Sequence, residues 1–266
     1  MMKKSQHDRI LNPTYVGIGL GLVFLIWWLY SFILVKQGNS AMLFPDPMMV
    51  LSRFFSNFTV GSVWLAVGYT LMRLFVGFLV SFLLAALLGV LSALFKPFRY
   101  ILKPFVLIMK TIPTAAVVFI ILIMVGSNWT PCYLVFLVVF PIVYESFLSG
   151  IDAVGDDVRD ALRLDSSLAH PRAVFGVLIP MASPYILLSI VTSLGLGMKV
   201  SIMAEIVAGG SSLAGLGRLI YVANSIDGDT TQVMALSLDA ILIIAVIDLG
   251  IYLLKRELKR RGLINA

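Results

Sequence analysis

Apolar residues in this chain gather into long runs separated by short polar connections. The runs cover about Tyr15 to Val35, Ser62 to Phe95, Ile101 to Val125, Pro131 to Leu148, Ile179 to Ala208 and Gln232 to Leu254. Each lies near or above the roughly 20 residues a helix needs to cross the hydrocarbon core of a bilayer. The pattern therefore predicts an all-α integral membrane protein with about six transmembrane helices. In the second run Gly77, Ser81, Ala85 and Gly89 recur every four residues, a small-residue stripe that lets another helix approach closely. The third run is interrupted by Lys110-Thr111-Ile112-Pro113. Proline frees backbone carbonyls, which a membrane tolerates only where they face protein or water. Between the first two runs, Phe44-Pro45-Asp46-Pro47 stops helices and sets an extended approach to the second.

One connection differs from the rest. From Gly150 to Arg172 the chain holds five Asp and three Arg, in a protein with 13% charged residues. Charge at that density belongs in water. Val158, Ala161, Leu162 and Leu168 recur at helical spacing, which predicts a short amphipathic helix with a face for docking. Periodicity alone also allows an ordinary solvated loop.

Composition agrees with the runs: 60% of the 266 residues are hydrophobic and the mean hydropathy is +1.00. Although the net charge is +6, the basic residues cluster at run ends, which implies membrane lipid and not nucleic acid as the surrounding partner. With both termini cytoplasmic, the inside segments carry Lys3, Lys4 and Arg9; Lys96, Arg99 and Lys103; Arg159, Arg163 and Arg172; and Lys255, Arg256, Lys259, Arg260 and Arg261. The outside segments carry Lys36, Arg53 and Arg218. Fourteen against three fixes the orientation and puts the Asp-rich connection in the cytoplasm. The basic start and long first run favour a retained span over a cleaved signal peptide. Three regions follow: 1–61 as tail, first helix and external connection; 62–255 as the core, with its cytoplasmic loop at about 150–178; and 256–266 as a basic tail.

Little in the chain suggests catalysis. Cys132 is the only cysteine, and His7 and His170 are the only histidines, which leaves no convergent set for a metal site or a His-based triad. Gly195-Leu196-Gly197-Met198-Lys199 lacks the Gly-Lys-Ser/Thr ending of a P-loop and lies inside an apolar run. The ionisable residues inside runs are Arg73, Lys110, Glu145, Lys199, Glu205, Asp239 and Asp248. Such residues pair structurally or line a polar pathway. Lys110 beside Pro113, Glu145, and Lys199 with Glu205 are the pathway candidates. Lys199 and Glu205 stand six apart on one helix, so their partners must come from elsewhere. Three bases against four acids argue against a strongly anionic cargo and for a neutral or cationic one. An ion-coupled secondary transporter or channel, with Glu145, Glu205 and Asp239 as relay groups, is the alternative, and it leaves the charged loop helix without a role.

Several blocks, taken in order, carry a resemblance. These are Phe44-Pro45-Asp46-Pro47 with Val50; Tyr69-Thr70-Leu71 with Arg73 and Gly77; and Pro104 followed by Lys110-Thr111-Ile112-Pro113. Next come Phe140-Pro141 with Gly150, then Asp160-Ala161-Leu162-Arg163 followed by Ile179-Pro180, and finally Ala204-Glu205 followed by Gly215-Leu216-Gly217 with Ile220. Together they resemble the binding-protein-dependent permeases of ATP-binding-cassette (ABC) importers, most closely the nitrate, sulfonate, taurine and pyrimidine-precursor group. The block at Asp160 is similar to that family's cytoplasmic Glu-Ala-Ala loop, with Asp160 in place of Glu, Leu162 in place of the second Ala, and Asp165 near the usual Gly.

The resemblance implies a type I ABC importer transmembrane fold. It implies a second permease copy (a homodimer), two cytoplasmic ATPase subunits that carry the ATP and Mg, and an extracytoplasmic solute-binding protein. The chain itself would then be no enzyme, hold no cofactor and sit in the bacterial inner membrane. The ATPase-coupling residues implied are Asp160, Ala161, Leu162, Arg163, Leu164, Asp165, Ser166 and Ser167, on a short helix continued rigidly into Pro180 and the fifth span. Gly215, Leu216, Gly217 and Arg218 become candidates for contact with the binding protein.

Overall fold

The computed structural model describes residues 13–36, 44–165 and 167–260, and every regular element among them is helical. In chain order these are α1 (Pro13–Lys36), α2 (Pro47–Asn57), α3 (Gly61–Leu94), α4 (Lys96–Thr111), α5 (Thr114–Val125), α6 (Thr130–Asp152) and α7 (Asp156–Asp165). A single turn, α8 (Pro171–Ala173), leads through a π-helical turn (Val174–Leu178) into α9 (Ile179–Ala208). The chain closes with α10 (Leu216–Ser225) and α11 (Thr230–Arg260). Five helices are long and apolar enough to cross a membrane, and six if α4 and α5 count as one bent span.

The third apolar run is that bent pair, with axes at 102°. Steric conflict with the ring of Pro113 holds Ile112 extended, at φ −64° and ψ 128°, so α4 ends there and α5 starts in a new direction. Lys96, Arg99 and Lys103 lie in the first turns of α4. At the other end of the chain, α11 continues past the apolar edge near Leu254 as far as Arg260.

Helix α6 is the centre of the bundle, packed between α3 and α9. Because lipid is as apolar as the helix surfaces, tight packing replaces the hydrophobic effect as the cause of association. The small-residue stripe of α3 supplies it: Gly77, Ser81, Ala85 and Gly89 are all buried. A methyl group added at Gly77 would lie 2.7 Å from the carbonyl oxygen of Cys132, and one at Gly89 would lie 2.8 Å from Cβ of Phe147. On the other side of α6, a methyl group added at Gly150 would lie 2.8 Å from Cβ of Ala182 of α9.

The ends of the helices sort as the charge pattern requires. Arg99 at the start of α4 pairs with Asp152 at the end of α6 at 2.7 Å, joining two segments expected in the cytoplasm. Arg53 of α2 pairs with Asp229 at 3.2 Å, joining two expected outside. Helix α1 touches the rest chiefly through Trp27 and Ser31, whose side chains donate to the carbonyls of Pro45 and Phe44 at 3.2 and 3.1 Å.

Candidate functional site

The charged connection forms a helix, α7. Asp156 and Asp157 sit in its first turn and Arg163 in its last, an arrangement that suits the helix dipole. Its two faces are unlike. Val158 and Leu162, one turn apart, pack inward against the bundle core. Asp160, Ala161, Arg163 and Leu164 point away from it, and Leu164 is 91% exposed. The apolar residues grouped by periodicity therefore divide, with Val158 and Leu162 as anchors and Ala161 on the free face. Arg163 donates to Asp160 at 3.0 Å across one turn on that free face. Ser167 is exposed, and its hydroxyl accepts from the amide of Ala169 at 3.3 Å. Ser166 and the side chain of Asp165 lie outside the described residues.

At the outer end, a buried ion pair ties α3 to α9. The side chains of Arg73 and Glu205 are 0% and 1% exposed and meet at 2.6 Å. The guanidinium also donates to the carbonyl oxygens of Asn128 and Leu213, at 2.9 and 2.6 Å, and to the Ser211 hydroxyl at 2.9 Å. The second oxygen of Glu205 accepts from the Thr70 hydroxyl at 2.8 Å and from the amide of Gly217 at 3.0 Å. Thr70 in turn accepts from the amide of Leu216 at 2.9 Å. Two of the unpartnered amides at the start of α10 are thus satisfied by α9 and α3, a need every helix start carries. Gly215 and Gly217 permit this contact, because a side chain at either would strike Glu205, and at Gly217 also the carbonyl of Ile202. Gly215, Leu216 and Gly217 are buried within the subunit, and of the four candidates for external contact only Arg218 is partly exposed.

The other intramembrane charges fall in separate places. Lys110, at the end of α4 beside the break at Pro113, reaches both carboxylate oxygens of Glu145 on α6 at 2.8 and 2.7 Å, with both side chains 44% exposed. They line a cavity of about 390 Å³ together with Arg99, Lys103 and Tyr144. Asp239 accepts from Asn57 of α2 at 2.6 Å, and Asn57 accepts from Gln232 at 3.1 Å. The three acids of a possible proton relay, Glu145, Glu205 and Asp239, thus belong to three different clusters. Lys199 has no ion-pair partner among the described residues. It is exposed on α9 in a stripe with Tyr185, Leu188, Thr192 and Leu196. Once Arg73 pairs with Glu205 and Lys110 with Glu145, the charge tally made from sequence leaves Lys199 against Asp239 and Asp248.

Sequence reasoning missed two features of these sites. Thr70 and Arg73 stood in a recognised block, but their partner Glu205 lies 132 residues away from Arg73, and nothing in the spacing joins them. Arg159 was read only as one charge in a charged window. Its guanidinium donates to the carbonyls of Ile151 and Val154 at 2.6 and 3.1 Å, binding α7 to the end of α6.

Comparison with known proteins groups the chain with transport permeases. The sequence model of a family described as binding-protein-dependent transport system inner membrane component matches residues 85–261. The taurine transport system permease protein TauC of Escherichia coli is 27% identical over 275 residues, covering 97% of this chain and 96% of that protein. A probable ABC transporter permease of Brucella melitensis is 26% identical, covering 76% and 82%. The nitrate import permease protein NrtB of a Synechocystis species is 26% identical, covering 83% and 81%. Among solved structures, one of the MetNI methionine ABC transporter in inward-facing conformations matches with a TM-score of 0.63 at 19% identity. It covers 76% of this chain and 97% of the matched chain, a likeness of fold.

Proposed function

We propose, from the premise that this chain belongs to the binding-protein-dependent transport system inner membrane component family and is the membrane-spanning permease subunit of an ABC importer, that the free face of α7 is its contact with a cytoplasmic ATPase subunit. The observation that carries this reading is the division of α7 into two faces. Val158 and Leu162 hold the helix to the bundle, while Leu164 stays 91% exposed beside Asp160 and Arg163. A leucine kept in water between two opposite charges suits a groove that covers it. Asp160 and Arg163 supply charge complementarity and register, and Ala161 and Leu164 supply the packing.

In this reading two copies of the permease, each gripped by one ATPase subunit, enclose a pathway between them, and an external solute-binding protein delivers cargo to the outer face. The break between α4 and α5 lines that pathway, because a bent helix with a polar pair beside it is tolerated in a membrane only against protein or water. Lys110, Pro113 and Glu145 stand at the break. Lys199 faces the pathway or the second copy, since an unpaired ammonium turned to lipid is costly. Lys199 is the base left after pairing, against Asp239 and Asp248, so the charges give no ground for an anionic cargo over the neutral or cationic one that the sequence tally favoured. Glu205 acts instead inside the subunit, as the partner of Arg73.

Copurification in mild detergent tests the contact. The ATPase subunit should stay with the wild-type permease and be lost on Asp160→Arg, while the variant permease keeps its thermal stability. Retention of the ATPase by Asp160→Arg would overturn the assignment.

A further inference from the structure

We propose that Arg159 is the positioning residue through which movement of α7 enters the membrane bundle, passing into α6 and, by way of Asp152 and Arg99, into α4. The proposal rests on α7 being the ATPase contact. Sequence alone pointed to a stiff continuation from α7 into α9, and among the described residues that route is interrupted between the two helices. The described chain is non-helical from Ser167 to His170, and from Pro171 a helix runs to Ala208, with a π-helical turn at Val174–Leu178 near its start. Short π-helical turns depart from the regular ladder and frequently mark functional sites. A push on α7 along that covalent route must pass the non-helical stretch Ser167–His170 and then the π-helical turn.

The contact through Arg159 is shorter and directional. Nη2 donates to the carbonyl of Ile151 at 2.6 Å and Nε to that of Val154 at 3.1 Å. These carbonyls lie in and just after the last turn of α6, where the dipole is negative; that of Ile151 also accepts from the amide of Val154 at 3.1 Å, so the guanidinium takes its second lone pair. A guanidinium is suited to the task because its planar fork meets two acceptors at once in a fixed orientation. Val158 and Leu162 also hold α7 to the bundle, but apolar packing is non-directional and leaves rotation of the helix about its own axis poorly fixed. The two hydrogen bonds fix that rotation.

The same end of α6 is tied onward. Asp152 is 3.8 Å from Arg159 and 2.7 Å from Arg99 at the start of α4. Helix α4 runs from there to the 102° break beside the Lys110–Glu145 pair. A turn or tilt of α7 is thus delivered to the foot of α4 and to the break at its top, the part of the structure that opens or closes the pathway.

The test uses the complete transporter, purified with its own ATPase subunits, in a background where Cys132 is replaced by alanine. A reporter Thr111→Cys at the break is labelled with a water-soluble maleimide, with and without Mg-ATP and vanadate. In the otherwise wild-type complex the labelling rate should change several-fold on addition of the nucleotide. Arg159→Met should reduce that change to less than twofold while ATP hydrolysis and ATPase copurification persist. Arg159→Lys, which reaches one carbonyl but not both, should fall between. Arg99→Asp should weaken the response, and Arg99→Lys, which can still pair with Asp152, should keep most of it. A full nucleotide response in Arg159→Met overturns the proposal. So does loss of the ATPase from that variant, because Arg159 would then act at the contact itself. If the contact has been misassigned, the failure shows separately, as Asp160→Arg leaving the ATPase bound.

Discussion

Replacing Glu205 with glutamine tests whether the buried Arg73–Glu205 pair is the clamp of the outer half. The substitution keeps the shape and removes the charge. One carboxylate oxygen accepts from Arg73 at 2.6 Å, and the other accepts from Thr70 and Gly217 at 2.8 and 3.0 Å. A glutamine presents one acceptor and one donor, so either orientation sets an NH₂ group against a donor that nothing else satisfies. It also leaves the Arg73 cation, 0% exposed, without its counter-charge. Breaking a buried pair from one side costs about 3–5 kcal/mol. At about 2–4 °C per kcal/mol for a chain of this size, the melting temperature should fall by roughly 6–20 °C. Arg73→Met should fall at least as far, since it also strips partners from the carbonyls of Asn128 and Leu213. Removing both charges, as Arg73→Met with Glu205→Leu, should cost less than the sum of the singles by about 1–3 kcal/mol, because neither then strands the other. The assay is thermal unfolding of the purified complex in detergent, followed by intrinsic fluorescence. Additive losses, or single-variant shifts below about 2 °C, would refute the reasoning.

Other outcomes follow from the same geometry. Lys110→Met should shift the melting temperature by no more than about 4 °C, because a half-exposed pair contributes about 0–1 kcal/mol; a fall as large as that of Arg73→Met would contradict the contrast drawn between the two pairs. Gly217→Ala should destabilise by about 1–3 kcal/mol, since the added methyl strikes the carbonyl of Ile202 and the Cβ of Glu205, whereas Gly68→Ala, with open space around it, should be neutral in the same unfolding assay. Lys199→Cys should react with a water-soluble maleimide and Leu83→Cys, on the outer surface of α3, should not. Equal labelling of the two positions would remove Lys199 from the pathway.

Much of the architecture was written in the order of apolar runs, because crossing a bilayer needs length and hydropathy more than particular side chains. The charged window was legible for the same reason, as residues that lipid would reject. The stripe Gly77, Ser81, Ala85 and Gly89 also announced itself, since helices in lipid rely on close backbone approach. What the sequence did not disclose depends on three-dimensional pairing. Glu205 looked like a candidate for the pathway, and Arg73 like a charge that could pair or line it, until the fold brought them together across α3 and α9. Pro113 foretold a kink, but whether it would be slight or 102° depends on what α5 packs against. In α7 periodicity found the helix yet grouped Ala161 with Val158 and Leu162. A helix that must bind on two sides carries apolar residues on both, and one periodic pattern cannot separate them.

The central claim is that the free face of α7 stands in the cytoplasm and is covered by the ATPase subunit. Cys132 is the only cysteine and is buried, so one reporter at Leu164→Cys gives a clean signal. A membrane-impermeant thiol reagent should label it in inside-out vesicles stripped of the ATPase, leave it unlabelled in intact spheroplasts, and be excluded again when the ATPase is added back. Labelling from the outside, or labelling indifferent to the ATPase, would contradict the account.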